Sequence, residues 1–303
     1  MRRPCHPQAA ADLKPKLQLS REIELLELGE DVANEDSVSG SVCPTRICHA
    51  KEIRLIHDSY GKGKFDGMLV HRDGEWFILC NYDNGNAPGS TRERFTIAHE
   101  LGHYHIPEHR RQLMAGRRPH GSRAGAFDGA ESIEELEADT FAANLLMPPA
   151  RFAPRLRSLK ELPLQSVLNL RKEFQTSLES TAIQVMRHDS RVVAIAKWNE
   201  DALAWPRISA SFFKEIGYRQ FLLRQRSQLP DACATAQALA DSEFQFEPIV
   251  REAAVTAAFC FGYVAAGGER DILFREQAVR NGRFGVLSIY SVLNDTNHAR
   301  HLI

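Results

Sequence analysis

The stretch His99-Glu100-Leu101-Gly102-His103 constrains this chain more than any other. Histidines four apart on a helix project from one face, so His99 and His103 can chelate a single cation with Glu100 beside it. The helical reading has its own support. Ser90 and Glu93 stand in the Ser-x-x-Glu spacing of a capping box, in which each side chain satisfies a backbone N–H of the first turn. Pro107 closes the helix, and Gly102 lets another backbone approach. A catalytic zinc takes three protein ligands and keeps one position for water, so a distant segment must fold back to supply the third.

The best donor is a second helix. It opens at Ser132, with Glu135 three residues on in another capping-box spacing, and runs through "LEADTFAANLLM" to Pro148-Pro149. Glu135 and Asp139 are four apart, so one carboxylate can ligate while the other accepts the remaining N–H of a metal-bound histidine. Glu131 and Glu137 suit this less well, Glu137 lying about 200° round the helix from Glu135. Glu134 stays a competitor for the third ligand. A cation so held would acidify water and polarise a carbonyl. Glu100 would take the water's proton as general base and hand it to the leaving amine. Tyr104, His105, His109 and His120 are candidates for stabilising the oxyanion, and the spacing does not choose among them.

Elsewhere the patterns mix. The first dozen residues read as frayed, and "LSREIELLELGEDVANED" from Leu19 reads as a short helix. "FDGMLVHRDGEWFILCN" holds two apolar runs around Asp73-Gly74, a two-residue hairpin signal. Residues 109–129 read as a long loop, solvated rather than nucleic-acid-binding because no aromatic residues interleave with its arginines. Two short helices follow, split at Gln175-Thr176-Ser177. From Arg191 the runs "VVAIAKW", "ILFREQAV" and "FGVLSIYSVL" read as strands, and "AAVTAAFCFGYVAA" from Ala253 as a buried helix. The expected fold is α+β. A zincin-like metallopeptidase domain spans 1–155, with a small antiparallel sheet beside the metal-binding helices. A helical, helix-turn-helix-like connector spans 156–190, and an α+β module of unassigned role spans 191–303.

Charge and length narrow the function. Lys and Arg number 38 against 39 Asp and Glu, so no global basic field drives binding to phosphate backbones, and direct DNA binding is not expected. No apolar core follows the early arginines, and no apolar run reaches the roughly 20 residues of a membrane span. The expectation is a cytoplasmic protein with no membrane partner, whose six cysteines are reduced thiols. Cys43 and Cys48 lack standard zinc spacing and no second pair follows, so they are set aside as ligands.

"RERFTIAHELGHYH" and "EELEADTFAANLLMP" together resemble the ImmA/IrrE family of bacterial and phage metallopeptidases. That family carries R-F-T-x-A-H-E-x-G-H and E-x-x-A-[DN]-x-F-A-x-x-L-L-M-P. The resemblance implies a gluzincin-like site with His99 and His103 as ligands, Glu100 as base, and Glu135, three residues before Ala138, as third ligand. Zinc is the implied metal, with manganese considered for some members. The implied partner is a protein substrate, a helix-turn-helix repressor whose cleavage relieves repression after stress or during mobile-element induction. The match is good from Phe65 to Pro149, weaker over Leu164 to His188, and fades from Arg191. Many relatives begin with a DNA-binding domain, for which the region before Phe65 is too short and too poor in paired helices. Two other classes share the same residues: a transcription regulator or partner-binding protein with a structural or vestigial metal site, and a hydrolase acting on a non-peptide amide.

Overall fold

The computed structural model describes residues 17–36, 40–116, 132–159, 162–189, 192–209, 223–242, 247–256, 259–260 and 272–293. The expected frayed start, most of the Arg-rich loop with His120, Glu131, and the end of the Ala253 run lie outside them. The chain divides into two compact units, Met1–Pro149 and Ala150–Ile303, with α-helices and a β-sheet in each. Among the described residues no helix is long and apolar enough to cross a membrane.

The first unit is built around α3 (Thr91–His105), in which every residue from Glu93 to Tyr104 is buried. A helix apolar on only one stripe cannot be wrapped in this way without neighbours on several sides. Here α1 (Leu19–Glu35) packs on α5 (Ile133–Leu146), α5 packs on α3, and α2 (Pro44–Ala50) and α4 (Pro107–Met114) complete the surround. Ile97, Leu101, Phe141, Leu145 and Leu25 form the shared core. At Gly102 an added Cβ would stand 3.1 Å from the Cα and 3.2 Å from the carbonyl oxygen of Ala138, so the close α3–α5 crossing requires the missing side chain. Pro107 ends α3 as expected but also opens α4 at a position where its missing N–H costs nothing, so residues 109–114 are helix where a loop was expected.

The capping boxes form only by half. The Ser90 and Ser132 side chains accept from the N–H groups of Glu93 and Glu135. The Glu93 carboxylate does not return to Ser90. It accepts from the Gly89 N–H at 2.5 Å and meets Nε2 of His57 at 2.6 Å.

The sheet corrects the expectation of an antiparallel one. Strands β1 (Ile53–Asp58), β2 (Gly67–Arg72) and β3 (Glu75–Asn81) lie in the order β1-β3-β2, with β2–β3 antiparallel and β1–β3 parallel. The hairpin turns at Asp73 and Gly74, both at positive φ, as the dipeptide predicts. Strand β1 enters parallel because the connection from β1 to β2 crosses the C-terminal end of β3. Buried Asn81 pins that connection by donating to the carbonyls of Gly61 and Phe65 and accepting from the Tyr60 N–H.

In the second unit, α6 (Pro149–Arg157) sets Phe152 edge-on against Phe174 of α7 (Leu164–Phe174). Gln175, in the left-handed region, turns the chain into α8 (Leu178–His188), the expected helix pair. The sheet is antiparallel with order β5-β4-β8-β7-β6: β4 (Val192–Trp198), β5 (Leu203–Ile208), β6 (Val250–Thr256), β7 (Leu273–Arg280) and β8 (Val286–Val292). Residues 253–256 are thus strand, not the expected helix. Ala253 and Val255 are buried while their neighbours are half-exposed, a period of two that pairing with β7 imposes on an alanine-rich run. Helix α9 (Ala234–Ala240) lies over β7 and is pinned by buried Glu276, which accepts from the Ala234 N–H and from the hydroxyls of Thr235 and Tyr290.

Replacing Gly102 with valine should push α3 from α5 and destabilise the protein by roughly 1–3 kcal/mol, the usual range for overpacking. Urea unfolding of the variant beside wild type checks this, and unchanged stability would mean the crossing is slack.

Candidate metal centre

The crossing of α3 and α5 brings three donor atoms together. Nε2 of His99 and Nε2 of His103 are 3.2 Å apart, and the Glu135 carboxylate lies 3.3 Å from the first and 3.4 Å from the second. Ligands about 2.0–2.1 Å from a tetrahedral zinc are about 3.3 Å from one another. The three side chains are therefore spaced as three corners of one coordination shell, and they are the group among the described residues arranged to hold a metal ion. Both imidazoles are buried, whereas Glu135 is partly exposed, so the cluster meets solvent on the carboxylate side.

The far nitrogens are also occupied. Nδ1 of His99 lies 2.8 Å from Oδ1 of buried Asp139, and Nδ1 of His103 lies 3.1 Å from Nδ1 of His109. Neutral rings with a proton on each Nδ1 toward its partner would leave each Nε2 a lone pair facing the cluster. Burial alone would lower the basicity of His99, but Asp139 and Glu135, with a contribution from Glu100, raise its pKa well above the ordinary value. A pocket that makes a buried imidazole so basic is one that favours a cation.

Glu100 is 1% exposed and sits beneath β2. An added Cβ on Gly67 would come within 2.8 Å of its Oε1 and 2.5 Å of Thr96 Cγ2. The space for the Glu100 carboxylate is therefore the space of a missing side chain. That role for Gly67 has no signature in the sequence, because it arises only when β2 is laid over α3.

The remaining candidates go elsewhere. Tyr104 packs edge-on against Trp76 with the Arg110 guanidinium over its ring, and lines a surface cavity with Lys51. His105 stacks on Phe141 at 5.8 Å, and its Nε2 is buried without a hydrogen-bond partner among the described residues. The described contacts of neither residue include the three donor atoms. Glu134 receives a hydrogen bond from Gln112 and is outside the cluster. Glu137, turned away from Glu135 as the helix angle requires, faces His109: its Oε2 is 2.9 Å from His109 Nε2. This connection was not legible in advance, since 28 residues separate the pair and helical spacing relates only near neighbours.

A profile of the Peptidase_M78 family, the IrrE N-terminal-like domain, matches residues 48–186. Among solved structures, a Mycobacterium tuberculosis transcriptional regulator is similar at 14% identity and a TM-score of 0.53, with 94% of this chain and 93% of that chain covered. At that identity the likeness is one of fold. No curated protein matches the chain.

Two outcomes follow from this geometry. Glu135→Ala should lose bound zinc while Glu134→Ala keeps it, as read by metal content after dialysis; the reverse result would move the third ligand. Burial, with Lys51 adding to it, holds His105 down at about 4. The unfolded chain takes up a proton near pH 6.5 that the fold refuses until about pH 4, so this residue's contribution to stability is present above pH 6.5 and is lost as pH falls through that window. The full loss is about 3 kcal/mol. In chelator-treated protein, His105→Phe should keep the stack on Phe141 and soften the acid loss by an amount approaching that figure, measured by urea unfolding from about pH 7 to about pH 4.

Proposed function

From the membership of residues 48–186 in the IrrE N-terminal-like family of M78 peptidases, we propose that the chain is a zinc-dependent endopeptidase. Its substrate in this reading is a helix-turn-helix repressor, cut so that repression is relieved, inside the cytoplasm. The observation that carries the proposal is the convergence of His99, His103 and Glu135 at ligand spacing with Glu100 alongside. A divalent ion held by those three residues would supply Lewis acidity toward a peptide carbonyl and acidify water. Glu100 accepts the proton of the attacking water, and the same proton goes to the amine nitrogen as the C–N bond breaks. Asp139 holds His99 in the tautomer that ligates through Nε2. Strand β2 ends the three-stranded sheet and lies over Glu100 at Gly67, so an extended segment added along β2 would run past the base.

A second reading, transcription regulation by DNA binding, is suggested by the likeness in fold to the Mycobacterium tuberculosis transcriptional regulator. The helix pair argues against it. A recognition helix must present a face to the major groove, yet Thr181 to Val185 of α8 are all buried and the helix packs on β4 and β8. Its Glu179 is tied to Lys197.

The test is Glu100→Gln. The variant should retain about as much zinc as wild type and lose cleavage of a candidate repressor by ~10²–10⁴-fold, the usual worth of a general base. Cleavage at the wild-type rate would remove Glu100 from its role. Salt-sensitive binding to duplex DNA, undiminished in the variant, would favour the second reading.

A further inference from the structure

We infer that His109, Glu137 and Arg21 form an orienting relay that fixes His103 as a metal ligand, a role that rests on the metal-centre reading above. The two ligand histidines are supported differently. His99 meets a carboxylate directly, whereas among the described residues His103 Nδ1 faces another imidazole nitrogen, Nδ1 of His109 at 3.1 Å. Two facing nitrogens make a hydrogen bond only if one carries the proton and the other does not.

The surroundings decide which. His109 Nε2 lies 2.9 Å from the Glu137 carboxylate, an acceptor with no proton to give when ionised, so Nε2 of His109 is the protonated nitrogen. Neutral His109 then has a bare Nδ1, which accepts from the Nδ1–H of His103, and His103 keeps its Nε2 lone pair for the metal. Glu137 is in turn held in place by Arg21 of α1, whose Nε donates to Oε1 at 2.8 Å and whose Nη2 donates to Oε2 at 3.2 Å. Arg21 also meets Glu24 and Glu108, so its guanidinium is fixed by three carboxylates from α1, α4 and α5. His109 and Glu137 are buried, which keeps water from substituting for either partner. The protonation order thus runs one way, from Arg21 through Glu137 and His109 to His103. His109 is a positioning residue, since it acts on the metal only through His103.

Zinc affinity of the full chain, measured by competition with a chromophoric chelator, tests this without reference to activity. His109→Leu removes the acceptor and should weaken zinc binding roughly 10–100-fold, the usual cost of losing such an outer partner. His109→Gln can accept from His103 and donate to Glu137 through one side-chain amide, and should stay within a few-fold of wild type. Equal affinity of the leucine variant and wild type would overturn the relay while leaving the centre intact, and a glutamine variant as weak as the leucine one would overturn it too. Wild-type protein that binds no zinc would sink the centre and the relay together. Because the leucine variant could misfold, nitrogen-15 imidazole NMR of zinc-loaded wild type gives an independent reading. His109 should carry its proton on Nε2 and His103 on Nδ1, and a proton on His109 Nδ1 would reject the assignment.

Discussion

Three electron-pair donors face one another across about the width of a single ion, and the first unit is organised around holding them there. Two imidazole nitrogens and a carboxylate so close repel unless something positive lies among them. The backbone supplies the restraint. Helix α3 is enclosed by α2, α4, α5 and the sheet, and its approach to α5 depends on there being no side chain at Gly102. The outer hydrogen bonds then aim the rings that the backbone has brought together. Asp139 performs this for one ring, and the described contacts place His109 against the other.

This arrangement explains why α3 carries so much polar chemistry in a buried position. Glu93, His99, Glu100 and His103 would each be costly in a core without partners. Glu93 is matched by His57 and the Gly89 N–H, which also anchors the start of the helix to β1. Glu100 occupies the gap left by Gly67. The polar residues are thus divided between those satisfied by protein and the donor set at the centre, where a bound cation would complete the balance and make its binding free energy part of folding.

What could be read in advance was what depends on near neighbours along the chain. His99 with His103, and Glu135 with Asp139, are helix repeats of four, and Asp73-Gly74 is a local turn, so each was legible from spacing alone. The resemblance to a peptidase family rested on the same short segments, and the family match includes them. The parts that escaped are products of long-range pairing. Strand β1 parallels β3 because of where its connection crosses, and residues 253–256 are extended because β7 is beside them. Glu137 turns away from Glu135 by the helix angle, which makes it unsuitable for ligation. The position that takes it away from Glu135 puts it on His109.

The second unit illustrates the same limit from the other side. A helix, a left-handed residue and a second helix make a pattern that DNA-binding proteins use, and the sequence of α7 and α8 carries it faithfully. What that pattern does depends on which faces remain. Here the middle of α8 is spent on the sheet, Leu164 at the start of α7 donates its N–H to Gln277 of β7, and Glu179 is engaged by Lys197 of β4. The pair packs as a layer on the sheet of the second unit, α7 against β7 and α8 against β4 and β8. Local pattern can propose a motif, but the neighbours that cover it determine its use.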